Sequence, residues 1–315
     1  MTLRAGVVGV GYLGRFHAQK YSLLEETQLV GVVDTDAKRA AEVASECGTA
    51  AFFNYADLLE KVDLISIAVP THDHFPVARA FLDAGRHVLI EKPITQTVQE
   101  AQELIEIAKA RKVVFQVGHL ERFNPAILAL KGVLKEPMFI ESHRMAPFKP
   151  RGTDVNVVLD LMIHDIDIIL NLVRSDITHI HAVGVPVLSD EVDIANARLQ
   201  FASGCVANVT ASRVSLEGMR KIRLFQSDAY ISIDYQNRKI AVFRKGAGES
   251  SLPGLPSIGM KTETFEQRDA LLDEIKSFIQ SILSHEAPVV SAEDGKKALD
   301  VAIKISQSLN QALQP

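Results

Sequence analysis

The chain carries only two cysteines in 315 residues, and Cys47 and Cys205 form no CxxC pair. That spacing excludes a disulfide framework and a cysteine-based zinc cluster, and leaves each thiol as a small buried hydrophobe. No apolar run approaches the ~20 residues a bilayer-spanning helix needs. A basic stripe is missing as well: 34 Lys and Arg stand against 39 Asp and Glu, for a net charge of −5. Neither nucleic acid nor a membrane is therefore an expected partner. Internal repeats and low-complexity tracts are also absent. Arg4 to Leu13 has the length of a signal-peptide core, but it lacks a cleavage-like site and is taken up by the motif described next, so a cytoplasmic protein is expected. What remains, 47% hydrophobic and 23% charged, is the balance of a soluble globular chain whose length calls for two domains.

What is present begins at once. Ala5-Gly6-Val7-Val8 reads as a strand leading into Gly9-Val10-Gly11-Tyr12-Leu13-Gly14, then a helical stretch, then Leu29 to Val33 ending on Asp34. A lone GxGxxG is weak evidence. Here it follows a strand, opens a helix, and is followed 20 residues after Gly14 by an acid, which is the context a dinucleotide site demands. Gly9 permits the tight turn, Gly11 lets backbone approach a pyrophosphate, and Gly14 lets the helix pack on the strand. The turn, Tyr12 and Leu13 included, then offers backbone N–H groups and a positive dipole end to phosphates. Asp34 suits a ribose diol and repels a 2′-phosphate, so NAD is expected over NADP. A glycine-rich turn in an unrelated βαβ unit is the plain alternative.

Strands and helices go on alternating to Val113–Val117. The expected fold is therefore α/β, with a doubly wound parallel sheet over residues 1–119. Thr97-Val98-Gln99-Glu100 is a capping box opening one of its helices. Residues 120–315 read differently: a helix over Asn124 to Leu134, a strand over Met138 to Arg144, and a helix from about Val155 to Val173. Six strands with no intervening helix follow, implying a mostly antiparallel sheet. Gly246 to Gly259 reads as an exposed loop. Two amphipathic helices close the chain, one with its stripe on Leu271, Leu272, Ile275, Phe278, Ile279 and Ile282, the other on Ala298, Val301, Ala302 and Ile305. Both are expected to pack over the sheet or back on the first domain.

Ligands of open α/β sheets sit beyond the carboxyl ends of the strands. Besides the glycine turn, two such ends are polar: Pro70-Thr71-His72-Asp73-His74 and Glu91-Lys92-Pro93. Pro70, Thr71, His74, Glu91 and Lys92 are thus candidate cofactor contacts, and the Lys92 ammonium could pair with a substrate oxygen or the nicotinamide ribose. Further on, Asp160, His164, Asp167 and Asn171 share one helical face at i, i+4, i+7 and i+11. Short polar side chains on an otherwise apolar helix look like a polar wall facing a cleft. A histidine there is a natural general base, which a carboxylate one turn away can orient. A structural His–Asp pair is the alternative, and without a third clear ligand no metal is expected. Arg122 and Asn124 at the domain junction, and Arg144 and Arg151 in a basic segment, are candidate contacts to substrate oxygens. An exposed basic loop would explain the last two equally well.

Taken together, the GxGxxG followed by His17, Glu91-Lys92-Pro93, Arg122-x-Asn124-Pro125 and Asp160-x-x-x-His164 resemble the glucose–fructose oxidoreductase / inositol dehydrogenase / MocA family over essentially the whole chain. The resemblance implies a Rossmann domain joined to an α/β domain with an open, mostly antiparallel sheet. The face of that sheet commonly forms homodimers or homotetramers. It also implies Lys92, Asp160 and His164 as the catalytic constellation of a sugar dehydrogenase. The runs His119 to Pro125 and Leu159 to Asp167 are similar to members that oxidise the 3-hydroxyl of UDP-N-acetylglucosamine. An inositol or free-sugar dehydrogenase, an NAD-dependent glycosidase and a non-catalytic NAD-sensing regulator are the other activities the family offers.

Overall fold

The computed structural model describes residues 2–149, 155–249 and 256–312. In chain order the elements are β1 Leu3–Val8, α1 Tyr12–Leu23, β2 Thr27–Val33, α2 Ala37–Cys47, β3 Ala50–Phe52, β4 Leu64–Ile67, α3 Thr71–Asp83, β5 His87–Glu91, α4 Val98–Arg111 and β6 Phe115–Gly118. There follow α5 Pro125–Leu128, β7 Phe139–Met145, a π-helical turn Val158–Met162, α6 Ile163–Val173, β8 Ile177–Val185, β9 Ile194–Phe201, β10 Val206–Ser212, β11 Met219–Gln226, β12 Ala229–Asp234, β13 Lys239–Glu249 and β14 Pro256–Thr264. The last two are α7 Ala270–Ser284 and α8 Ala292–Ala312.

The chain forms two compact units. The first comprises Met1–Leu120 and Asp269–Leu299, so α7 and the first turns of α8 belong with the nucleotide-type sheet. Its six strands run in the order β3-β2-β1-β4-β5-β6, every pair parallel. The helices cross over between these parallel strands, and the strands are correspondingly buried along nearly their whole length. Ala5, Val7, Leu64 and Leu89 face one way and meet Ala18 and Tyr21 of α1 and Ile275, Phe278, Ile279 and Ile282 of α7 in one buried cluster. The stripe expected on the first C-terminal helix is thus the surface it buries. The Thr97 capping box forms as well: Glu100 N–H donates to Thr97 Oγ1 at 3.2 Å, and Thr97 N–H to Glu100 Oε2 at 3.0 Å.

The second unit comprises Glu121–Arg268 and Asp300–Pro315. Its eight strands are ordered β14-β13-β12-β11-β7-β10-β9-β8, antiparallel throughout except where β7 and β10 run parallel. One face of this sheet is buried and the other open, which is why β7 alternates between Ile140, Ser142 and Arg144 inside and Phe139, Glu141 and His143 outside. The π turn and α6 pack against β10.

Three sequence expectations change here. The helix expected to Leu134 is the single turn α5; Asn124 caps it and Pro125 opens it, but Gly132 takes φ +81 and the chain continues as turns. Much of the expected Gly246 to Gly259 loop is strand, because β13 and β14 pair from Lys239↔Thr264 to Lys245↔Ile258 and again at Glu249↔Pro256; residues 250–255 lie outside the described residues. The helix carrying Asp160 and His164 is not uniform: it opens with a π turn, and α-helical geometry begins only at Ile163.

Candidate active site

In the first unit the glycine turn takes the form its sequence requires. Gly9 has φ +81, where a side chain would be strained. A Cβ on Gly14 would fall 1.7 Å from the Gly9 carbonyl oxygen, so only glycine lets α1 sit this close to β1. A Cβ on Gly11, by contrast, would meet nothing within 4 Å. Gly11 therefore leaves open the approach to the first turn of α1, whose N-cap is Gly11, with no capping side chain and no acidic residue in that turn. Uncapped N–H groups at a helix start suit a diphosphate, so the turn fits a dinucleotide.

Asp34, just after β2, is buried. Its carboxylate accepts from Val10 N–H at 3.0 Å and Asp36 N–H at 2.9 Å, which fixes it beside the turn. Arg39 reaches it from α2, with Nη1 3.3 Å from each oxygen and Nη2 3.1 Å from Asp36.

At the next strand end, Pro70 is the N-cap of α3 and Thr71 its first residue. His74 departs from the expectation of a cofactor contact. It is only 1% exposed, with Nδ1 2.8 Å from the Pro93 carbonyl and Nε2 3.0 Å from the Val69 carbonyl. Burial pushes its imidazole pKa down, against those two carbonyls. The ring ties the end of β4 to the turn after Lys92 and is not presented to a ligand.

Glu91 ends β5, and Lys92 follows, half-buried, joined to Pro93 by a cis peptide bond. Behind the lysine lies a buried chain of polar groups. His17 Nε2 is 3.0 Å from Glu91 Oε1, His17 Nδ1 is 3.1 Å from Ser66 Oγ, and Tyr21 Oη is 2.8 Å from the same oxygen. Gly118 gives Glu91 its room, since a Cβ there would come 3.2 Å from the carboxylate. Burial alone would raise the Glu91 carboxyl. The His17 hydrogen bond and the charges of His17, Lys92 and His74 outweigh it and hold the group below its usual range. Lys92 thus leaves the sheet with a fixed carboxylate at its root.

In the second unit, the polar face expected on the long helix is divided. Asp160 sits in the π turn and His164 in the first turn of α6; both are half-buried and accessible. Asp167 is 1% exposed and forms no part of an open wall. It takes a two-point contact from Arg122, Nε at 2.8 Å and Nη2 at 2.6 Å. Asp165, equally buried, receives Arg144 Nε at 2.5 Å and Ser142 Oγ at 2.8 Å. Arg144 Nη1 also donates to Glu121 at 3.0 Å. Burial works against the Arg144 charge, but Asp165 and Glu121 more than offset it and hold its pKa above the ordinary arginine range.

These pairings correct the expectation that Arg122 and Arg144 contact substrate: both guanidiniums are consumed in buried pairs that anchor α6. Asn124 is likewise engaged as a cap, accepting from Ala126 N–H at 3.0 Å. Arg151 lies outside the described residues. Asn156, which the sequence did not single out, caps the π turn, its Oδ1 accepting from Val158 and Leu159 N–H at 3.1 and 3.2 Å. Its amide donates to Ser306 Oγ at 3.1 Å. π turns recur at functional sites because they re-aim side chains, and this one holds Asp160. Among the described residues no three His, Cys, Asp or Glu side chains come together as a metal site, and no helix is long and apolar enough to cross a membrane.

Comparison with known proteins agrees with this division. Residues 3–119 match a family model described as an oxidoreductase family with an NAD-binding Rossmann fold, and residues 131–232 match the Gfo/Idh/MocA C-terminal domain. The chain is 42% identical to the UDP-N-acetylglucosamine 3-dehydrogenase of Acidithiobacillus ferrooxidans over 99% of each protein. It is 27% identical to the myo-inositol 2-dehydrogenase of Thermotoga maritima over 98% of this chain and 97% of that one. A solved structure of the Acidithiobacillus enzyme superposes over 100% of both chains with a TM-score of 0.95 at 41% identity. Likeness at that level from end to end establishes that the chain belongs to the Gfo/Idh/MocA family of oxidoreductases.

Proposed function

We propose that the chain is an NAD-dependent dehydrogenase that oxidises a ring hydroxyl of a nucleotide sugar, the 3-hydroxyl of UDP-N-acetylglucosamine or of a close relative. The observation that carries the dehydrogenase reading is the placement of Lys92 at the carboxyl end of β5, rooted on the buried Glu91–His17 pair beside a turn shaped for a dinucleotide. The substrate reading is supported by the 42% identity to a protein of that activity.

The Gly9–Gly14 turn would hold the dinucleotide, which when bound would supply the acceptor for the hydride leaving the sugar carbon. His164 takes the hydroxyl proton, Asp160 orients the imidazole, and the Lys92 ammonium stabilises the negative charge that builds on oxygen. Asp34 favours NAD by accepting from the ribose diol and repelling a 2′-phosphate. Among the substrate contacts expected from sequence, Arg151 keeps its candidacy for the diphosphate. A cytoplasmic location goes with this reading, supported by the free thiols of Cys47 and Cys205.

The test is to incubate the protein with NAD and a panel of UDP-sugars, inositols and free hexoses while following nicotinamide reduction. Reduction with UDP-N-acetylglucosamine, abolished by Lys92→Met with NAD affinity held within about threefold, is the expected result. Reduction only with inositols or hexoses would overturn the substrate, and full turnover by Lys92→Met would overturn the role of the lysine.

A homo-oligomer through the open sheet face belongs to the same proposal. Phe139, Phe225, Tyr230, Phe243 and Met260 are successive register partners across β7, β11, β12, β13 and β14 and so share that face. Their neighbouring rings lie 5.7, 4.9 and 5.3 Å apart, and Met260 is 64% exposed. An apolar row of this kind is the usual mark of a protein interface. Sedimentation should give a multiple of the chain mass, reduced to that of one chain by Tyr230→Asp with Phe243→Asp; a wild-type monomer would refute the assembly.

A further inference from the structure

Glu274 lies on the apolar side of α7, between residues that pack on the parallel sheet, and is 0% exposed. Neither of its carboxyl oxygens has a hydrogen-bond partner among the described residues. Gln116 of β6, equally buried, donates its amide to the Glu274 main-chain carbonyl at 3.4 Å, while its own Oε1 is also unpartnered. An ionised carboxylate in a dry interior without partners costs several kcal/mol, and such a group keeps its proton. A second carboxylate, Glu91, already acts on Glu274 and is itself held ionised by His17 and Lys92. Two negative charges cannot share such a pocket cheaply, so one of the two must be neutral.

The surroundings distinguish the two. Glu91 comes from β5 with a hydrogen bond to His17 of α1. Tyr21 of α1 feels the charge of Glu274 but gives its hydroxyl to Ser66 of β4. β6 contributes only the uncharged Gln116, and Asp294, beyond the segment bridged to β6, is engaged by Ser291. On α7 itself Asp269 is paired with Lys20, Lys276 is exposed and Asp273 is only partly buried. Among the described residues of these elements the charge acting on Glu274 is that of Glu91, whereas Glu91 has the Lys92 ammonium and the His17 hydrogen bond.

We propose that Glu274 is a positioning residue for the Glu91–Lys92 turn: it stays a neutral carboxylic acid at working pH, so that Glu91 is the single negative charge at the root of Lys92. As a neutral acid it carries no charge that its surroundings would have to balance, and both of its carboxyl oxygens lie buried without a partner among the described residues. Ionised, it would set a second negative charge against Glu91 and weaken the field that Lys92 offers to a developing alkoxide. The proposal rests on the role given to Lys92 above.

The direct test is the infrared spectrum of the full-length protein at neutral pH. A protonated-carboxyl C=O band is expected, shifted by 13C-glutamate labelling and missing in Glu274→Gln. Glutamine reproduces the neutral acid, so Glu274→Gln should keep kcat within about threefold at pH 7 with KM unchanged. It should also lose less activity than wild type as pH rises into the alkaline range. Absence of a glutamate-derived band from the wild type, or a band unchanged in Glu274→Gln, would overturn the proposal. So would a loss of more than about tenfold in kcat at pH 7, which would mean that the charge itself is required. The labelled wild-type spectrum needs no variant to fold. The band is assigned to Glu274 by its loss in Glu274→Gln and does not depend on turnover, so its failure is distinct from a failure of the Lys92 role, which Lys92→Met tests separately.

Discussion

His17 Nε2 stands 3.0 Å from Glu91 Oε1, joining the first helix of the nucleotide-type unit to the strand end that carries Lys92. The imidazole is 1% exposed, so this contact works with little solvent screening. It also gives the strand end a definite response to acid. Glu91 ionises below the usual glutamate value of 4.5 when folded. A carboxyl group of that kind contributes stability that is fully present above its unfolded pKa and is lost as pH falls through the folded one. Glu91→Gln should therefore lower stability by about 2 kcal/mol at neutral pH, and the gap from wild type should narrow below about pH 4.5. Urea midpoints measured across that range check it; a gap that widens in acid would contradict a stabilising, ionised Glu91.

The three glycines of the turn make separable predictions, because the space around each differs. Gly14→Ala would drive a Cβ to 1.7 Å from the Gly9 oxygen, which no rotamer can relieve since the obstacle is backbone. That variant should lose both NAD binding and several degrees of thermal stability. Gly11→Ala places its methyl in open space and should melt with the wild type, yet lose NAD affinity by about tenfold or more, because the methyl stands where the pyrophosphate must approach. Calorimetry and NAD titration of the two variants separate folding from binding.

The first unit was legible in the sequence because its determinants are local. The Gly9–Gly14 turn, the Thr97–Glu100 box and the alternation of elements each occupy a few consecutive residues. What escaped were pairings between distant positions. Arg122 and Asp167, 45 residues apart, and Arg144 and Asp165, 21 apart, form buried contacts that no spacing rule reveals. Those arginines were consequently assigned to substrate. Asp167 carried the same error: on an ideal α-helix it shares a face with Asp160 and His164, but a π turn intervenes and an arginine claims it. Glu274 did leave a signal, since it falls on the stripe defined by Leu271, Ile275 and Phe278, where an acid is out of place in an apolar pattern.

Arg144 distinguishes a structural from a ligand-binding role. Its guanidinium is 3% exposed and satisfies both Asp165 and Glu121. Arg144→Met removes the countercharge from a buried aspartate and should destabilise the protein by about 3–5 kcal/mol. Adding Asp165→Asn, which removes the stranded charge, should restore part of that loss. A substrate-binding arginine would behave in the opposite way, raising KM with stability intact. Denaturant unfolding and initial rates on the two variants read the difference.

The proposed preference for NAD gives Asp34 and Arg39 a joint role that can be tested. In the wild type the Arg39 guanidinium lies 3.3 Å from both Asp34 oxygens, so the positive group suited to a 2′-phosphate is neutralised by the negative group that repels one. Asp34→Ser removes the repulsion and frees Arg39 Nη1 from Asp34 in a single step, leaving the Arg39 contact to Asp36 in place. Catalytic efficiency with NAD should fall by about tenfold to a hundredfold, the worth of charge-assisted hydrogen bonds to the ribose diol. Efficiency with NADP should rise, because an arginine fork pairs well with phosphate oxygens. Combining Asp34→Ser with Arg39→Ala isolates the second effect: the gain with NADP should disappear while the loss with NAD stays, a coupling a double-mutant cycle measures directly. If Asp34→Ser leaves the ratio of kcat/KM for the two cofactors unchanged, Asp34 does not read the 2′ position. If the double variant keeps the NADP gain, the arginine takes no part in it.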